Sequence, residues 1–270
     1  MKSFIADKNR KLSKLALYHI EDLSFSTFMK ALRKKDVKVN GKRVSQDVTL
    51  VVGDKVEIYY AESTQTKFEI LYKDENVLVV DKKKGYTSES IFEDVKAQFP
   101  TASFIHRLDR NTCGIMIFAL SYEGEKELLN GFKNRTFEKY YLATVVGVPN
   151  IKERVLTAYL KKDSDKATVS ISDTRLNGAT LIKTGYKVVS DNGETSKLRV
   201  VLYTGKTHQI RAHLAHIGHP IVGDGKYGDY AFNERCGAKT QMLCASELVL
   251  RFNAQSKLAY LDGKSFLSKQ

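Results

Sequence analysis

The 270-residue sequence predicts an α+β fold, in which a small N-terminal α/β domain precedes a larger domain built on a mainly antiparallel mixed sheet. Short alternating stretches between turn signals fill the first part of the chain, whereas apolar runs become longer from Phe68 onwards. No internal repeat interrupts this order. We therefore predict domains at residues 1–62 and 63–270, with the polar residues 61–67 as the linker.

Local signals predict the elements of the smaller domain. A helix is expected from Phe25, after Ser24 as its cap, with apolar residues at helical spacing and basic residues on or near the outer face. An Asn-Gly pair within residues 37–44 predicts a tight hairpin. Residues 49–60 are expected to form two short strands around a Gly-Asp turn.

The larger domain is predicted to alternate strands with helices. Buried strands are indicated by short apolar runs, and helices by apolar residues that recur every three or four positions. A strand pair, a helix, a strand, a helix, a strand and, after several further strands, a last helix are expected at residues 68–82, 90–99, 114–120, 122–132, 139–147 and 208–217.

The charge of the chain favours a polyanionic partner. Lys and Arg number 44 against 31 Asp and Glu, which gives a formal net charge of +13. RNA, DNA and anionic membranes all attract such a protein, and a merely basic surface is the alternative. Net charge alone does not distinguish these partners, so the sequence motifs are needed to choose among them.

The cysteine pattern favours a reducing compartment. The three cysteines, Cys113, Cys236 and Cys244, form no Cys-x-x-Cys pair, and an odd number argues against a disulfide framework. The N-terminal residues have no apolar core typical of a signal peptide. No apolar run approaches the ~18 residues of a membrane span, so we expect a soluble cytoplasmic protein.

A first candidate site lies in the sequence His-Arg-Leu-Asp-Arg within residues 104–114. It is predicted to form a loop before a buried strand, and loops held by rigid strands often carry catalytic groups. Asp109 is the single acid between Asp94 and Glu123, and arginines lie on both sides of it. An aspartate that caps a turn is the alternative interpretation.

A second candidate site lies in residues 202–228, which are rich in glycine and basic groups. The basic side chains and histidines of this stretch include Lys206, His208, Arg211, His213, His216 and His219. Metal binding is one interpretation of the histidines, but no zinc-type cysteine spacing accompanies them and only Asp224 offers a carboxylate. Contact between these cations, a helix N-terminus and phosphate groups agrees better with the net charge.

A third candidate is the tyrosine pair Tyr140 and Tyr141 in the predicted strand at residues 139–147. Successive residues of a strand point to opposite faces, so both rings fit a core interpretation. A functional interpretation requires that one ring faces a cleft, where it can stack on a base.

The three segments together, in this order and spacing, resemble the RluA family of pseudouridine synthases. His-Arg-Leu-Asp-Arg-Asn-Thr-Cys-Gly resembles its aspartate motif, Lys-Tyr-Tyr-Leu-Ala its tyrosine segment, and Thr-Gly-Lys-Thr-His-Gln-Ile-Arg its arginine motif, which a Gly-Asp-x-x-Tyr-Gly run follows. The likeness covers roughly residues 68–252. Residues 12–60 resemble a small RNA-binding domain first known from a ribosomal protein of the small subunit.

This resemblance implies residue roles. Asp109 corresponds to the essential aspartate, Tyr141 to the stacking tyrosine and Arg211 to the arginine that pairs with the aspartate. The implied substrate-binding residues are Arg107, which helps to displace the target nucleotide, His106, Leu202, Lys206, His208 and Ile210. Departures from the family pattern are Cys113 for serine, Lys206 for arginine and a missing proline in residues 81–90.

The implied reaction converts a uridine into its C-glycoside isomer, which requires no metal, cofactor or energy source. An ionised Asp109 would act at the sugar or the base, and a two-point bond from Arg211 would orient it. The resemblance implies an RNA substrate, with rRNA favoured over tRNA, and we expect a monomer. A noncatalytic RNA-binding or ribosome assembly factor and a metal-dependent hydrolase remain the alternatives.

Overall fold

The computed structural model describes residues 1–20, 23, 25–60, 66–163 and 167–270. The expected Ser24 cap and residues 61–65 of the expected linker lie outside the described residues. Among the described helices, none reaches the length and mean hydropathy of a bilayer-spanning segment.

The described chain divides into two compact units. Met1–Lys67 and Glu89–Thr101 form the first, and Phe68–Ser88 and Ala102–Gln270 form the second. The sequence-based boundary after residue 62 stays a prediction, because the neighbouring residues are outside the described part of the chain.

Short helices and strands make up the first 60 residues. In chain order these elements are β1 (Lys2–Ile5), β2 (Arg10–Lys11), α1 (Leu12–His19), α2 (Phe25–Arg33), β3 (Val37–Val39), β4 (Lys42–Val44), β5 (Thr49–Leu50) and β6 (Lys55–Ile58). Four of the strands form an antiparallel sheet in the order β1-β6-β3-β4. The expected helix from Phe25 and the expected hairpin are confirmed. Asn40 and Gly41, with φ of 50° and 79°, form the turn that joins β3 to β4.

The core of this unit lies between the sheet and the helices. Fully buried side chains from both helices and from the central strands, such as Leu12, Phe28 and Val56, pack into one apolar cluster. The apolar spacing that predicted α2 therefore marks its buried face. Its basic residues Lys30 and Arg33 are exposed on the other side.

Longer strands dominate the rest of the chain. Its elements are β7 (Phe68–Lys73), β8 (Val77–Lys82), α3 (Ser88–Gln98), β9 (Ser103–Phe104), β10 (Cys113–Ala119), α4 (Tyr122–Asn134), β11 (Glu138–Val146), β12 (Glu153–Asp163), β13 (Thr168–Ser172), β14 (Thr180–Asp191), β15 (Thr195–Leu202), α5 (Gln209–His216), α6 (Tyr230–Arg235), β16 (Leu243–Val249), a short 3₁₀ helix (Ala259–Leu261) and β17 (Ser265–Leu267). Every strand and helix predicted for the larger domain is present within a few residues of its expected bounds.

The second unit is built on an eleven-stranded sheet. Its main path runs in the order β13-β12-β14-β15-β11-β16-β10-β8-β7, with β9 and β17 paired to β10 and β16. Neighbours are antiparallel except β10 and β16, which are parallel. The predicted α+β class with a mainly antiparallel mixed sheet is thus confirmed. The parallel pair brings the residues that follow the Asp109 loop beside the C-terminal part of the chain.

Gly114 allows β10 and β16 to approach each other closely. A Cβ atom at this position would lie 2.1 Å from the carbonyl oxygen of Ala245, and the φ of +110° is one that other residues rarely adopt. The glycine at the end of the aspartate motif is therefore required by backbone packing directly beside the Asp109 loop.

We expect Gly114→Ala to lower the free energy of unfolding by more than about 2 kcal/mol, because the added methyl group overlaps a backbone atom that cannot move independently. Urea unfolding followed by circular dichroism measures this. Gly193→Ala is the matched control, since Gly193 has a φ of +86° but nothing within 4 Å of the added atom. That control should lose only the ~1 kcal/mol of backbone strain, and equal losses in the two variants would contradict the packing argument.

Candidate active site

A cavity of about 450 Å³ lies in the second unit where segments that are far apart in the chain meet. Lining residues come from the loop after β9, the end of α4, the strand β11, the segment from the end of β15 into α5, and the start of β16. Every site residue expected from the sequence lines this cavity: Asp109, Tyr141, Arg211, Arg107, His106, Leu202, Lys206, His208 and Ile210. The fold thus gathers residues that are far apart in sequence, while their individual roles stay predictions.

The Asp109 loop is held by hydrogen bonds on both sides of the aspartate. The Ser88 hydroxyl accepts from Leu108 N at 2.9 Å and donates to Leu108 O at 2.8 Å. On the other side, Thr112 N donates to Asp109 O at 3.0 Å, and Gln241 Nε2 donates to Thr112 Oγ1 at 2.6 Å. The direction in which the Asp109 side chain leaves the backbone is therefore set by the unit, not by the loop alone.

A buried lysine anchors the segment that lacks the family's proline. The Lys82 ammonium donates to the carbonyl oxygens of Lys83, Tyr86 and Arg110 at 3.1, 2.8 and 3.1 Å. Burial lowers the pKa of Lys82 to about 8, and the charge of nearby Asp109 opposes this shift. The conformation of residues 81–90 is thus tied to the Asp109 loop by Lys82 without a proline.

Arg211 binds two carboxylates at once. Its Nη1 donates to Asp109 Oδ2 at 2.8 Å, while Nε and Nη2 form a two-point bond to Asp224 at 2.6 and 2.8 Å. The expectation of a two-point bond between Arg211 and Asp109 is therefore wrong. The backbone N–H groups of Lys226 and Tyr227 also donate to Asp224, whose side chain has 0% exposure. The two-point bond to Asp224 fixes the plane of the guanidinium, and Nη1 then points to Asp109.

This arrangement leaves the two oxygens of Asp109 in different states. Oδ2 accepts from Arg211 and lies 3.8 Å from His208 Nε2. Oδ1 has no hydrogen bond to any residue in the described part of the chain. Because the Asp109 side chain keeps 23% exposure inside the cavity, Oδ1 is the oxygen available to a bound ligand.

His208 has a left-handed backbone conformation at the start of α5, with φ of 56° and ψ of 14°. Such a conformation is uncommon outside glycine and often occurs at functional sites. It places the ring between Tyr227, whose hydroxyl lies 2.9 Å from Nδ1, and Asp109. Burial lowers the pKa of His208, although the Asp109 charge opposes this, so the neutral ring is favoured near pH 7.

The tyrosine pair on β11 divides between the two faces of the sheet, as the alternation predicts. Tyr141 is buried, lines the cavity and has its pKa raised by burial and by the Asp109 charge. Tyr140 instead donates to Glu138 at 2.7 Å and lies under the guanidinium of Arg199 at 3.8 Å. Only Tyr141 of the pair faces the cavity, as expected.

A β-bulge accompanies Tyr141. The pairing of β11 with β16 shifts register between Tyr140 and Leu142, which face Glu247 and Cys244. Three steps along β16 thus correspond to two along β11 at this point. Bulges commonly redirect a side chain next to an active site, and here the irregularity occurs at the ring that lines the cavity.

His106 connects the Asp109 loop to β10. Its Nε2 accepts from Ile117 N at 3.1 Å, and its ring stacks on Phe132 at 4.5 Å. Burial, with a contribution from Lys139, lowers its pKa to about 3. The neutral ring therefore has its Nε2 committed to the strand, which leaves Nδ1 and the ring edge for the substrate contact that stays predicted.

The histidines of the second motif have separate environments. His213 is buried with Nδ1 3.0 Å from Thr184 Oγ1, whereas His216 lies 3.0 Å from Asp173 and His219 lies 3.0 Å from the Val146 carbonyl oxygen. No group of three His, Cys, Asp or Glu residues with the placement of a metal site occurs among the described residues. The metal-hydrolase alternative therefore gains no support from the histidine spacing.

Cys113 contributes to strand packing. It is buried, pairs with Cys244 in the parallel ladder, and has its Sγ 3.7 Å from the Leu243 carbonyl oxygen. It does not line the cavity. The thiol that replaces the family's serine thus belongs to the junction of β10 and β16.

Several residues of the site were not assigned from sequence. The sequence suggests a role for Asp224 only as a metal ligand, and it suggests no role for Tyr227 or Lys139. The Gly-Asp-x-x-Tyr-Gly run that contains Asp224 and Tyr227 was a usable signal. No local signal could show that Asp224 binds Arg211, because that contact depends on how the segment after α5 folds back.

We expect Asp224→Asn to lower the free energy of unfolding by about 3 kcal/mol, because it leaves a buried guanidinium with one carboxylate fewer. Asp191→Asn, which removes an exposed acid that pairs with Lys152, is the matched control and should cost less than about 1 kcal/mol. Urea unfolding near pH 7 measures both. Equal losses of unfolding free energy in the two variants would mean that the buried ion pairs of Arg211 stabilise the fold no more than an exposed ion pair does.

Asp224→Asn should also change how the free energy of unfolding depends on pH under acidic conditions. Burial raises the pKa of Asp224, but the Arg211 bonds and two backbone N–H groups outweigh it, so the native pKa is lowered. The stabilisation is therefore present above the unfolded value of ~3.9 and is lost as pH falls through the lower native value. Stability should thus fall less steeply in acid for the variant than for the parent.

Comparison with known proteins places this site in a family. A model of the RNA pseudouridylate synthase family matches residues 67–216. The ribosomal large subunit pseudouridine synthase C of Vibrio vulnificus is 31% identical over 240 residues, which cover 79% of this chain and 75% of that protein. Its counterpart from Escherichia coli K12 is 30% identical over 235 residues, with 78% and 73% coverage.

A solved structure shows the same fold. Human RNA pseudouridylate synthase domain containing 1 superposes with a TM-score of 0.65 at 24% identity, over 75% of this chain and 83% of that one. The family model spans more than half of the chain and includes both the Asp109 loop and Arg211. The protein therefore belongs to the RNA pseudouridylate synthase family, the isomerases that convert uridine to pseudouridine in RNA.

Proposed function

We propose that this enzyme isomerises specific uridines of ribosomal RNA and that Asp109 is its essential catalytic residue. The observation that carries this proposal is the Asp109 carboxylate inside the cavity, with Oδ2 held by Arg211 and Oδ1 unbonded among the described residues. One fixed and one available oxygen suit a group that must approach a sugar or a base in a defined direction.

The reaction is balanced without any other reagent. The bond from N1 to C1′ breaks, the uracil turns, and a new bond forms from C1′ to C5. N1 gains a proton and C5 loses one, so there is no net oxidation. Asp109 could act by attack at C1′, by addition to the ring, or by removal of the C2′ proton, and each route requires an ionised and oriented carboxylate.

The target nucleotide has to leave its stack to reach this carboxylate, at a cost of a few kcal/mol. Stacking on the Tyr141 ring would return about 1–3 kcal/mol of that cost. Leu202 and Ile210 would supply apolar walls around the base, and Lys206, His208 and His106 would contact the nucleotide. Arg107, an exposed residue two positions before Asp109, would occupy the space that the flipped nucleotide leaves.

Large-subunit rRNA is the proposed substrate, in preference to tRNA. The relatives at 30–31% identity carry the name ribosomal large subunit pseudouridine synthase. The N-terminal resemblance to a small RNA-binding domain supports the same choice. We further propose that the enzyme is a cytoplasmic monomer with the RNA-binding and catalytic domains of residues 1–62 and 63–270.

Asp109→Asn should form no pseudouridine above the no-enzyme control while it keeps its fold and binds RNA, because the amide cannot act as a base or nucleophile. Pseudouridine mapping on large-subunit rRNA and tRNA transcripts, with and without the enzyme, measures both activity and substrate class. Asp173→Asn, an exposed acid that pairs with His216, is the control. Product from pure Asp109→Asn protein would remove Asp109 from its role, and modification of tRNA alone would overturn the rRNA proposal.

Substitution of the exposed cations Lys30, Arg33 and Lys34 by Gln should weaken RNA binding without a loss of kcat, because α2 would lose phosphate contacts and the cavity would stay intact. The slope of log affinity against log salt should fall by about 0.7–0.9 for each lost contact. Lys126→Gln/Lys197→Gln, two exposed lysines outside both regions, is the control. An unchanged salt slope would mean that α2 does not touch RNA.

A further inference from the structure

The cavity has a strong excess of positive charge over its one described carboxylate. Its lining Lys and Arg residues are Arg107, Lys133, Arg135, Lys139, Lys206 and Arg211. Asp109 is the sole acid among the described lining residues, and it shares Arg211 with the buried Asp224. Uracil and ribose carry no charge, so they do not explain the remaining cations. A bound nucleotide brings its negative charge only in its phosphates.

Apart from the buried Arg211, Lys139 is the one lining cation that is half-buried, whereas the other four are exposed. It lies two residues before Tyr141 on β11, and strand alternation puts both side chains on the same face. Burial, with a contribution from Arg135, lowers the pKa of Lys139. No hydrogen bond or ion pair to its Nζ occurs in the described part of the chain, and Nζ lies over the face of Phe132 at 5.6 Å from the ring centroid.

Among the described residues, no carboxylate forms an ion pair with the Lys139 ammonium. The charge of Arg135 disfavours a further positive charge on Lys139. Arg135 has a left-handed conformation with φ of 59° at the end of α4, and it also lines the cavity. A Cβ atom on Gly205 would lie 3.8 Å from Lys139 Nζ, so the Gly205 backbone lies beside the amine. A half-buried ammonium without a counter-ion is costly unless a ligand supplies the charge.

We propose that Lys139 binds the phosphate group that links the flipped uridine to its neighbour, and so forms a backbone subsite inside the catalytic cavity. This inference rests on the proposed function, because it assigns the ring stacked on Tyr141 to the base of the same nucleotide. Tyr141 and Lys139 are about 6.6 Å apart along the strand. The strand thereby offers a base contact and a phosphate contact on one face, and the Lys139 ammonium lies over the Phe132 ring at 5.6 Å from its centroid.

A chemical neutralisation of the phosphate tests this contact directly. The RNA carries a methylphosphonate at the linkage on one or the other side of the target uridine, and its affinity for Asp109→Asn protein is measured so that no turnover interferes. One of the two neutral linkages should weaken binding to Asp109→Asn by about tenfold or more, as expected for a charge-assisted hydrogen bond. The same linkage should weaken binding to Asp109→Asn/Lys139→Gln by less than about twofold.

Three further variants separate binding from structure. Lys139→Arg keeps the charge and should keep the sensitivity to the neutral linkage. Lys139→Met keeps the apolar stem on Phe132, and should lose that sensitivity even if the Gln variant proves unstable. Lys197→Gln removes an exposed lysine of β15 outside the cavity and should behave as the parent.

The proposal is overturned if the Lys139→Gln and Lys139→Met proteins respond to both neutral linkages as strongly as the parent does. In that case Lys139 only packs on Phe132. Pseudouridine formation by the wild-type chain is measured in parallel on the unmodified RNA. An active wild-type enzyme without the Lys139 coupling contradicts this inference alone, whereas an inactive one contradicts the proposed function.

Discussion

The site depends on a guanidinium buried between two carboxylates. Arg211 joins Asp109, 102 positions away in the chain, to Asp224, 13 positions away. Asp224 is fully buried and accepts a two-point bond from Arg211, so it fixes the guanidinium. The bond from Arg211 Nη1 then fixes Oδ2 of Asp109. Removal of Arg211 would leave the buried charge of Asp224 without its partner, and removal of Asp224 would leave the guanidinium with Asp109 alone, so either loss is far more costly than that of a surface ion pair.

The backbone around this triad is rigid for identifiable reasons. Gly114 lets β10 approach β16 to a distance that a side chain would prevent, and the bulge opposite Tyr141 changes the register of β11 at the cavity wall. Lys82 binds the carbonyl oxygen of Arg110 from beneath the loop. These features hold the carboxylate, the ring and the guanidinium in one arrangement before any ligand arrives, which is what catalysis by orientation requires.

The cavity is electrically uneven. Asp109 shares Arg211 with Asp224, whereas Lys139 and Arg135 line the same cavity without a described carboxylate partner. A nucleotide has the complementary distribution, with a neutral base and sugar next to a charged phosphate. The basic character of the whole chain therefore has a local counterpart at the cavity, where an excess of cations favours a ligand that carries negative charge.

The sequence by itself determined the α+β class, most of the longer elements and nine of the residues that line the cavity. Apolar periodicity and turn chemistry are local, and the motifs carry the identity of Asp109, Tyr141 and Arg211. Only the tertiary structure decided that Asp224 rather than Asp109 takes the two-point bond of Arg211, and that Lys139 faces the cavity without a counter-ion among the described residues. The physical reason is that a hydrogen bond between distant segments depends on how the strands pair and how the loops fold back. The same holds for the lack of a partner at the half-buried Lys139 amine. The spacing of residues that are neighbours in sequence does not encode either feature.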